Sequence, residues 1–410
     1  MSFISSLDRG VFAVRGALSY YLSGLSGSGV HSSNHPVAEG SRPIYILPSF
    51  WYAPDKRTAA RELREMKMRL GEGNDRFRLG VSVFVRHMGD VAGNDFHYGP
   101  SSLEGFFEAC ISERVPVFIN PSGVQWTEVA YRESPLIKKL MQSNENRVML
   151  KDSEGNIFPA PRKRQPGFQD KNGLSYLCMY SPEVQHYWNR NLAELAGVVS
   201  SFASQNPGLF VGMSTENEKD LPGKWAGGRV LGSDYNSDYN SHFVSAHHSA
   251  QYGGNDISWN GFRVFSVRLR NILSANILRA AGIPKERIYT HISTEDAETR
   301  ASPLEVGIVG SAGNLGVVWW GAGKFPSDSL AAAKSAAVGA GNSFGTPYCQ
   351  GFGILAANPL SFSPAASRIF LEEAVQLGAN PIVLYCWWPH FVGYGIKGLP
   401  LESAVRDLLR

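Results

Sequence analysis

Two sets of residues in this chain have the types and spacing to do chemistry. The first is Glu216-Asn217-Glu218, which follows directly on the run Leu209-Phe-Val-Gly-Met-Ser-Thr. A carboxyl whose pKa is raised by its surroundings can protonate a leaving oxygen and later take a proton back. The second set is the tryptophans. Of the nine, Trp51, Trp319, Trp320, Trp387 and Trp388 close apolar runs, while Trp126, Trp225 and Trp259 fall in the polar stretches that follow such runs. Only Trp188 sits within a helical pattern. Indole faces stack on the apolar C–H faces of sugar rings, and the indole N–H can hydrogen-bond a hydroxyl. Any one tryptophan also reads as a core residue or a loop staple. Eight gathered at the ends of apolar runs read better as a carbohydrate-binding surface.

These residues need elements to hold them. From residue 42 onward, short apolar runs alternate with amphipathic stretches, the rhythm of parallel β/α units. Strands are predicted at 44–50, 79–85, 115–120, 209–214, 288–292, 316–320, 346–351 and 381–387. Helices are predicted at 57–70, 101–113, 182–203, 261–281, 327–338, 363–377 and 401–409. Eight strands alternating with helices predict an α/β fold, the (β/α)8 TIM barrel. An open doubly wound sheet is the alternative, but no GxGxxG follows the first strand to support a dinucleotide site. The barrel is expected to carry long insertions after strands 3 and 4, at 121–181 and 216–259. The first holds a predicted hairpin of 148–151 against 157–160. Loops of that length are usually functional, and in a barrel both lie at the carboxyl-terminal mouth. Residues 1–41 read as an N-terminal segment ending in a Ser/Gly-rich linker, and 42–410 as the barrel.

Composition narrows the classes. A net charge of +3 from 39 basic and 36 acidic residues is too small and too mixed for a nucleic-acid surface. Charged residues make up only 18% of the chain, which together with its tryptophan content argues against disorder and coiled coil. No apolar run reaches the roughly 18 residues of a membrane span. The four cysteines form no CxxC pair, which sets aside a zinc ribbon or thioredoxin-type site. Their sparseness and the lack of a clear signal peptide point to the cytoplasm, with export by a specialised route left open. Asp234-Tyr-Asn-Ser-Asp238 lacks the glycine and terminal glutamate of a calcium loop. His242, His247 and His248 have no HExxH pattern. No metal is expected.

An Asn-Glu pair closing the fourth strand of an eight-strand pattern resembles the retaining (β/α)8 glycoside hydrolases of clan A. The run Tyr289-Thr290-His291 closing strand five and Tyr385-Cys386-Trp387-Trp388 closing strand eight are similar to the same group. The resemblance spans residues 42–410. It implies that Glu218 is the acid/base and that Asn217 contacts the sugar 2-hydroxyl. It also implies stacking walls from Trp51, Trp126, Trp319, Trp320, Trp387 and Trp388, and polar contacts from Asn120 and His291. No cofactor is implied, and the partner is a β-linked oligosaccharide or polysaccharide.

The resemblance calls for a nucleophilic Glu closing strand seven, where this chain has Gln350. Glutamine cannot form a glycosyl ester. Three readings stay open: an inactive Glu-to-Gln variant, a protein that binds sugar or uses another carboxylate, and a strand seven placed elsewhere. Glu216 rivals Glu218. Glu295, beyond strand five, is the local candidate to stand in for the nucleophile, and an inverting hydrolase or transglycosidase would use Glu216 or Glu295.

Overall fold

The computed structural model describes residues 43–87, 100–122, 159–160, 174–175, 182–215, 259–293, 312–319, 351–357, 363–388 and 395–410. All of them belong to one compact unit. The strands are β1 (Ile44–Phe50), β2 (Phe77–Leu79), β3 (Val81–Arg86), β4 (Val117–Ser122), β5 (Pro159–Ala160), β6 (Leu174–Ser175), β7 (Phe210–Ser214), β8 (Ile288–Tyr289), β9 (Ile292–Ser293), β10 (Asn314–Trp319), β11 (Gly351–Ala357) and β12 (Ile382–Leu384). The helices are α1 (Lys56–Leu70), α2 (Pro100–Glu113), α3 (Pro182–Gln205), α4 (Trp259–Ala280), α5 (Pro364–Gln376) and α6 (Pro400–Leu409).

The pairing closes on itself. In ring order β1, β3, β4, β7, β8, β10, β11 and β12 are joined in parallel, and β12 pairs back onto β1 through Ile46↔Ile382 and Leu47↔Val383. This is the (β/α)8 barrel. The short β9 continues the line of β8 along β10, and β2 pairs with the start of β1. Gly80 separates β2 from β3 because a side chain there would not fit: a Cβ would lie 2.6 Å from Leu47 Cδ2 and 2.7 Å from the Pro116 carbonyl oxygen.

Sequence explains the helices locally. In α1 the Asp55 carboxylate accepts the Thr58 N–H at 3.0 Å, capping free N–H groups of the first turn. Ala59, Leu63, Met66 and Leu70 form its buried stripe, at the spacing of one helix face. Gly71, at φ 96°, ends it. In α5, Ser363 caps Ala366 N and a proline takes a first-turn position. The outward residues of the strands pack on these helices in one large core, with Ile46, Val83, Ile119, Met213, Leu315 and Ile354 from the barrel wall.

One expectation changes. Strand seven, expected at 346–351, runs Gly351–Ala357, so it begins where it was expected to end. Register confirms the level, since Gly351 pairs with Asn314, the first residue of β10. Also, Pro159-Ala160 pairs antiparallel with Leu174-Ser175. Residues 148–151, its expected partner, lie outside the described residues, as does the helix expected at 327–338.

Candidate functional site at the carboxyl-terminal mouth

The barrel interior is built in steps along each strand. Leu47 (β1), Phe118 (β4), Val211 (β7), Tyr289 (β8) and Val383 (β12) meet in a buried apolar plug. Side chains alternate along a strand, so the same face continues two residues later. From Leu47 that step reaches Ser49, from Phe118 Asn120, from Tyr289 His291 and from Val383 Tyr385. On β7 the step is three, to Ser214, because the register shifts there. The layer above the plug is therefore mostly polar, and Ser49, Ser82, Asn120, Ser214 and His291 are all fully buried.

Asn120 ties this layer together. Its Nδ2 donates to Ser82 Oγ at 2.8 Å, and its Oδ1 accepts from Ser214 Oγ at 2.9 Å. The expected sugar contact is thus a strut joining β3, β4 and β7, within the layer that floors the mouth. His291, two residues beyond the end of β8, is fully buried.

Above it lies an aromatic cluster in which Phe84 and Tyr385 are buried and Trp51 is partly exposed. Trp51 lies 5.1 Å from Tyr385 and 5.8 Å from Phe84, centroid to centroid, and Phe84 and Tyr385 are 6.1 Å apart. Trp51 was expected here. Phe84 and Tyr385 were missed, although counting two residues on from Val383 reaches Tyr385. Cys386 is buried beside them and its thiol donates to the Trp388 carbonyl at 2.7 Å. Burial pushes that thiol up to about 12.

Trp387 and Trp388 part company. Trp387, expected as a stacking wall, is fully buried in the outer core. Its Nε1 donates to Glu62 of α1 at 3.1 Å, and Lys397 Nζ lies 5.7 Å from its ring centroid. β12 ends at Leu384, and beyond it strict alternation no longer sets direction. Trp388 is half-buried, packed on Phe50 and Tyr52. Trp319 is the last residue of β10, paired with Ala357.

Behind the mouth, α3 and α4 hold the strand ends. Thr215, directly before Glu216, donates through Oγ1 to Asn271 of α4 at 2.7 Å, and its backbone N donates to the Tyr289 carbonyl at 2.7 Å. Asn191 of α3 donates to the His87 carbonyl at 2.9 Å. The Arg270 guanidinium stacks 4.2 Å over the Trp188 ring and donates to Asn189 at 2.8 Å.

Glu216, Asn217, Glu218, Trp126, Glu295, Trp320 and Gln350 lie outside the described residues. The premise that put Gln350 at the mouth was a strand ending at Gly351. β11 instead ends in Ala356-Ala357, and no strand of the described barrel ends in a carboxylate. Among the described residues no group of three or more His, Cys, Asp or Glu gathers as a metal site, and no helix is long and apolar enough to cross a membrane.

No sequence-family profile matches the chain, and no curated protein matches it by sequence. By structure it is similar to a β-galactosidase from the psychrophilic Marinomonas ef1, with a TM-score of 0.53 and 12% identity over 89% of this chain and 59% of that one. It is similar also to a polyextremophilic β-galactosidase from the Antarctic haloarchaeon Halorubrum lacusprofundi, with a TM-score of 0.50 and 12% identity over 89% of this chain and 57% of that one. A GH113 β-1,4-mannanase matches with a TM-score of 0.44 and 10% identity, over 90% of this chain and 97% of that one. The chain therefore spans less than two thirds of the length of either β-galactosidase. At such identities the first two likenesses establish the fold alone, the (β/α)8 barrel.

Proposed function

We propose that this chain is a glycoside hydrolase acting on a β-linked oligosaccharide or polysaccharide. The observation that carries the reading is the mouth itself. The aromatic cluster of Trp51, Phe84 and Tyr385 lies over a buried polar floor, and the strand supplying Ser214 to that floor leads straight into Glu216-Asn217-Glu218. Trp51, the partly exposed ring of the three, offers a stacking face for a pyranose, and the carboxylates that follow strand four offer the proton its leaving oxygen needs. In this reading Glu218 gives that proton and then deprotonates water, while Asn217 holds the 2-hydroxyl.

One observation favours a second reading. With β11 ending in Ala356-Ala357, no nucleophile is evident at strand seven. A retaining enzyme needs its second carboxylate roughly 5–5.5 Å from the first. A barrel that binds sugar without retaining catalysis, or an inverting enzyme using Glu216 or Glu295, fits that rim better. The test is to incubate the protein with β-1,4-linked glucan, mannan and galactan and follow new reducing ends, with product anomers read by proton NMR. A hydrolase releases them, and Glu218→Gln slows release by about 10²-fold or more. Binding without release supports the sugar-binding barrel. Gln350→Glu is expected to leave the rate unchanged, and a large gain would return the nucleophile to position 350.

A further inference from the structure

Two threonines sit at the same place on neighbouring strands and are held differently. Thr215 directly follows β7 and Thr290 directly follows β8, and both are fully buried. The Thr290 hydroxyl stays with the backbone of the next strand, 3.5 Å from the Asn314 carbonyl that already accepts its N–H at 3.0 Å. The Thr215 N–H likewise donates to the next strand, at the Tyr289 carbonyl 2.7 Å away. Its hydroxyl turns instead to the helix behind, donating to Asn271 Oδ1 of α4 at 2.7 Å. Asn271 is itself fully buried. A buried amide is costly unless it is hydrogen-bonded, so an apolar side chain would serve packing alone as well.

The helix that carries Asn271 is fastened in its turn. The preceding residue, Arg270, is 3% exposed, lies 4.2 Å over the Trp188 ring of α3 and donates to Asn189 at 2.8 Å. Consecutive residues of α4 thus face two ways, one joined to α3 and the next to the end of β7. The first fixes the rotation of the helix that presents the second. β7 has need of such a tie. Its register against β4 shifts between Val117 and Phe118, and it pairs with β8 through two positions, Met213↔Ile288 and Ser214↔Tyr289. Backbone pairing alone leaves the direction of its exit loosely set. Thr215 is β-branched and stiff at χ1, so holding its hydroxyl holds the backbone from which the chain leaves the strand.

We infer that Asn271 is the positioning residue of the proposed acid/base segment: by clamping Thr215 it sets where Glu216-Asn217-Glu218 leaves β7. The inference rests on the hydrolase reading above, and Asn271 acts through Thr215 rather than on the substrate. A general acid works only within hydrogen-bond reach of the oxygen it protonates, and a misplacement of about 1 Å can cost on the order of 10²-fold in rate. The clamp bears on the reacting carboxyl and not on the bulk of substrate binding. Its loss therefore falls on kcat and leaves KM nearly unchanged.

The test is steady-state hydrolysis of β-1,4-linked glucan, mannan and galactan by the full chain, well below its melting temperature. On whichever polymer the wild type cleaves, Asn271→Leu and Thr215→Val should lower kcat by roughly 10- to 100-fold, with KM within about twofold. Thr215→Val is nearly isosteric, so it reports on the clamp even where Asn271→Leu folds poorly. The double variant should be no slower than either single one, since both remove the same bond. Thr215→Ser, which keeps the hydroxyl, should retain most of the rate. Asn380→Ala is the control. Asn380 ties the amino-terminal end of the barrel, accepting the Tyr45 N–H and donating to the Pro43 carbonyl, each at 3.2 Å. Its loss should lower the melting temperature and leave kcat unchanged. A kcat in Thr215→Val within about twofold of wild type, or a Thr215→Ser as slow as Thr215→Val, overturns the clamp while the hydrolase reading stands. If the wild type releases reducing ends from none of the polymers, the hydrolase reading fails and the clamp with it.

Discussion

Two groups of polar side chains, one buried and one partly exposed, lie on opposite sides of the barrel wall, and they are built on different chemistry. Inside, Ser82, Asn120 and Ser214 join three strands through neutral hydrogen bonds. Outside, Glu62, Glu65, Arg69, Lys397 and Glu402 join α1 to the chain's last segment through charges. Lys397 reaches Glu65 at 2.7 Å, Arg69 grips Glu402 through two bonds at 3.0 and 2.7 Å, and the Gly398 N–H donates to the same carboxylate at 2.6 Å. On the proposed hydrolase reading, a neutral floor adds no fixed charge beside a carboxyl that would change its protonation state. A charged seam, partly open to water, fastens the C-terminal helix without intruding on that mouth.

The difference can be broken from either side. The largest effect is expected from Asn120→Leu, which leaves the Ser82 and Ser214 hydroxyls short of a partner in a site closed to water. It should cost roughly 2–4 kcal/mol by denaturant unfolding, by the same amount at neutral and acid pH. Arg69→Met should cost less, about 1–2 kcal/mol at pH 7, because Arg69 is 37% exposed and Glu402 keeps its Gly398 N–H.

That second loss should depend on pH. For both Glu62 and Glu402, burial works against the charged form. It is outweighed at Glu62 by hydrogen bonds from Trp387, Trp388 and Arg61 and by the Lys397 charge. At Glu402 it is outweighed by Arg69, the Gly398 N–H and Arg406. Both carboxyls are held below their ordinary value of 4.5. The stability they contribute is present above that value and is lost as pH falls through the lower folded-state values. Melting curves from pH 7 to 3 should therefore show the gap between wild type and Arg69→Met closing, while the Asn120→Leu gap stays constant. A constant Arg69→Met gap would mean that the seam holds by packing rather than charge. The smallest effect is expected from Ser49→Ala. The Ser49 hydroxyl is buried with no hydrogen-bond partner among the described residues, so its loss should change stability by less than about 1 kcal/mol, toward the more stable side.

Much of the fold was legible because barrel strands advertise themselves. The strand expected at 44–50 is β1 to the residue, and most other boundaries fall within two or three residues. Strand seven was not legible. The glycine-rich turn signal of 339–345 and Pro347 lies several residues before Gly351-Phe-Gly-Ile-Leu-Ala-Ala and leaves its start open, so only pairing with Asn314 and Ile382 sets its level. The site divides in the same way. Trp51 and Asn120 could be placed at the mouth from strand ends alone. Glu62 could not, because nothing in an amphipathic helix pattern says that one acidic residue on its buried side will meet an indole more than three hundred positions away.

By itself the sequence determined the number and order of strands and helices, the gathering of tryptophans after strands, and the carboxylates that follow strand four. These are local properties of composition and period, and each is carried by a few neighbouring residues. Only the tertiary structure decided direction and level. It packed Tyr385 against Trp51 and Phe84 and Trp387 into the outer core, made Asn120 a strut, and set strand seven at Gly351–Ala357. Those outcomes depend on register across the barrel and on which helix covers which strand end, and both are set by contacts between residues far apart in the chain.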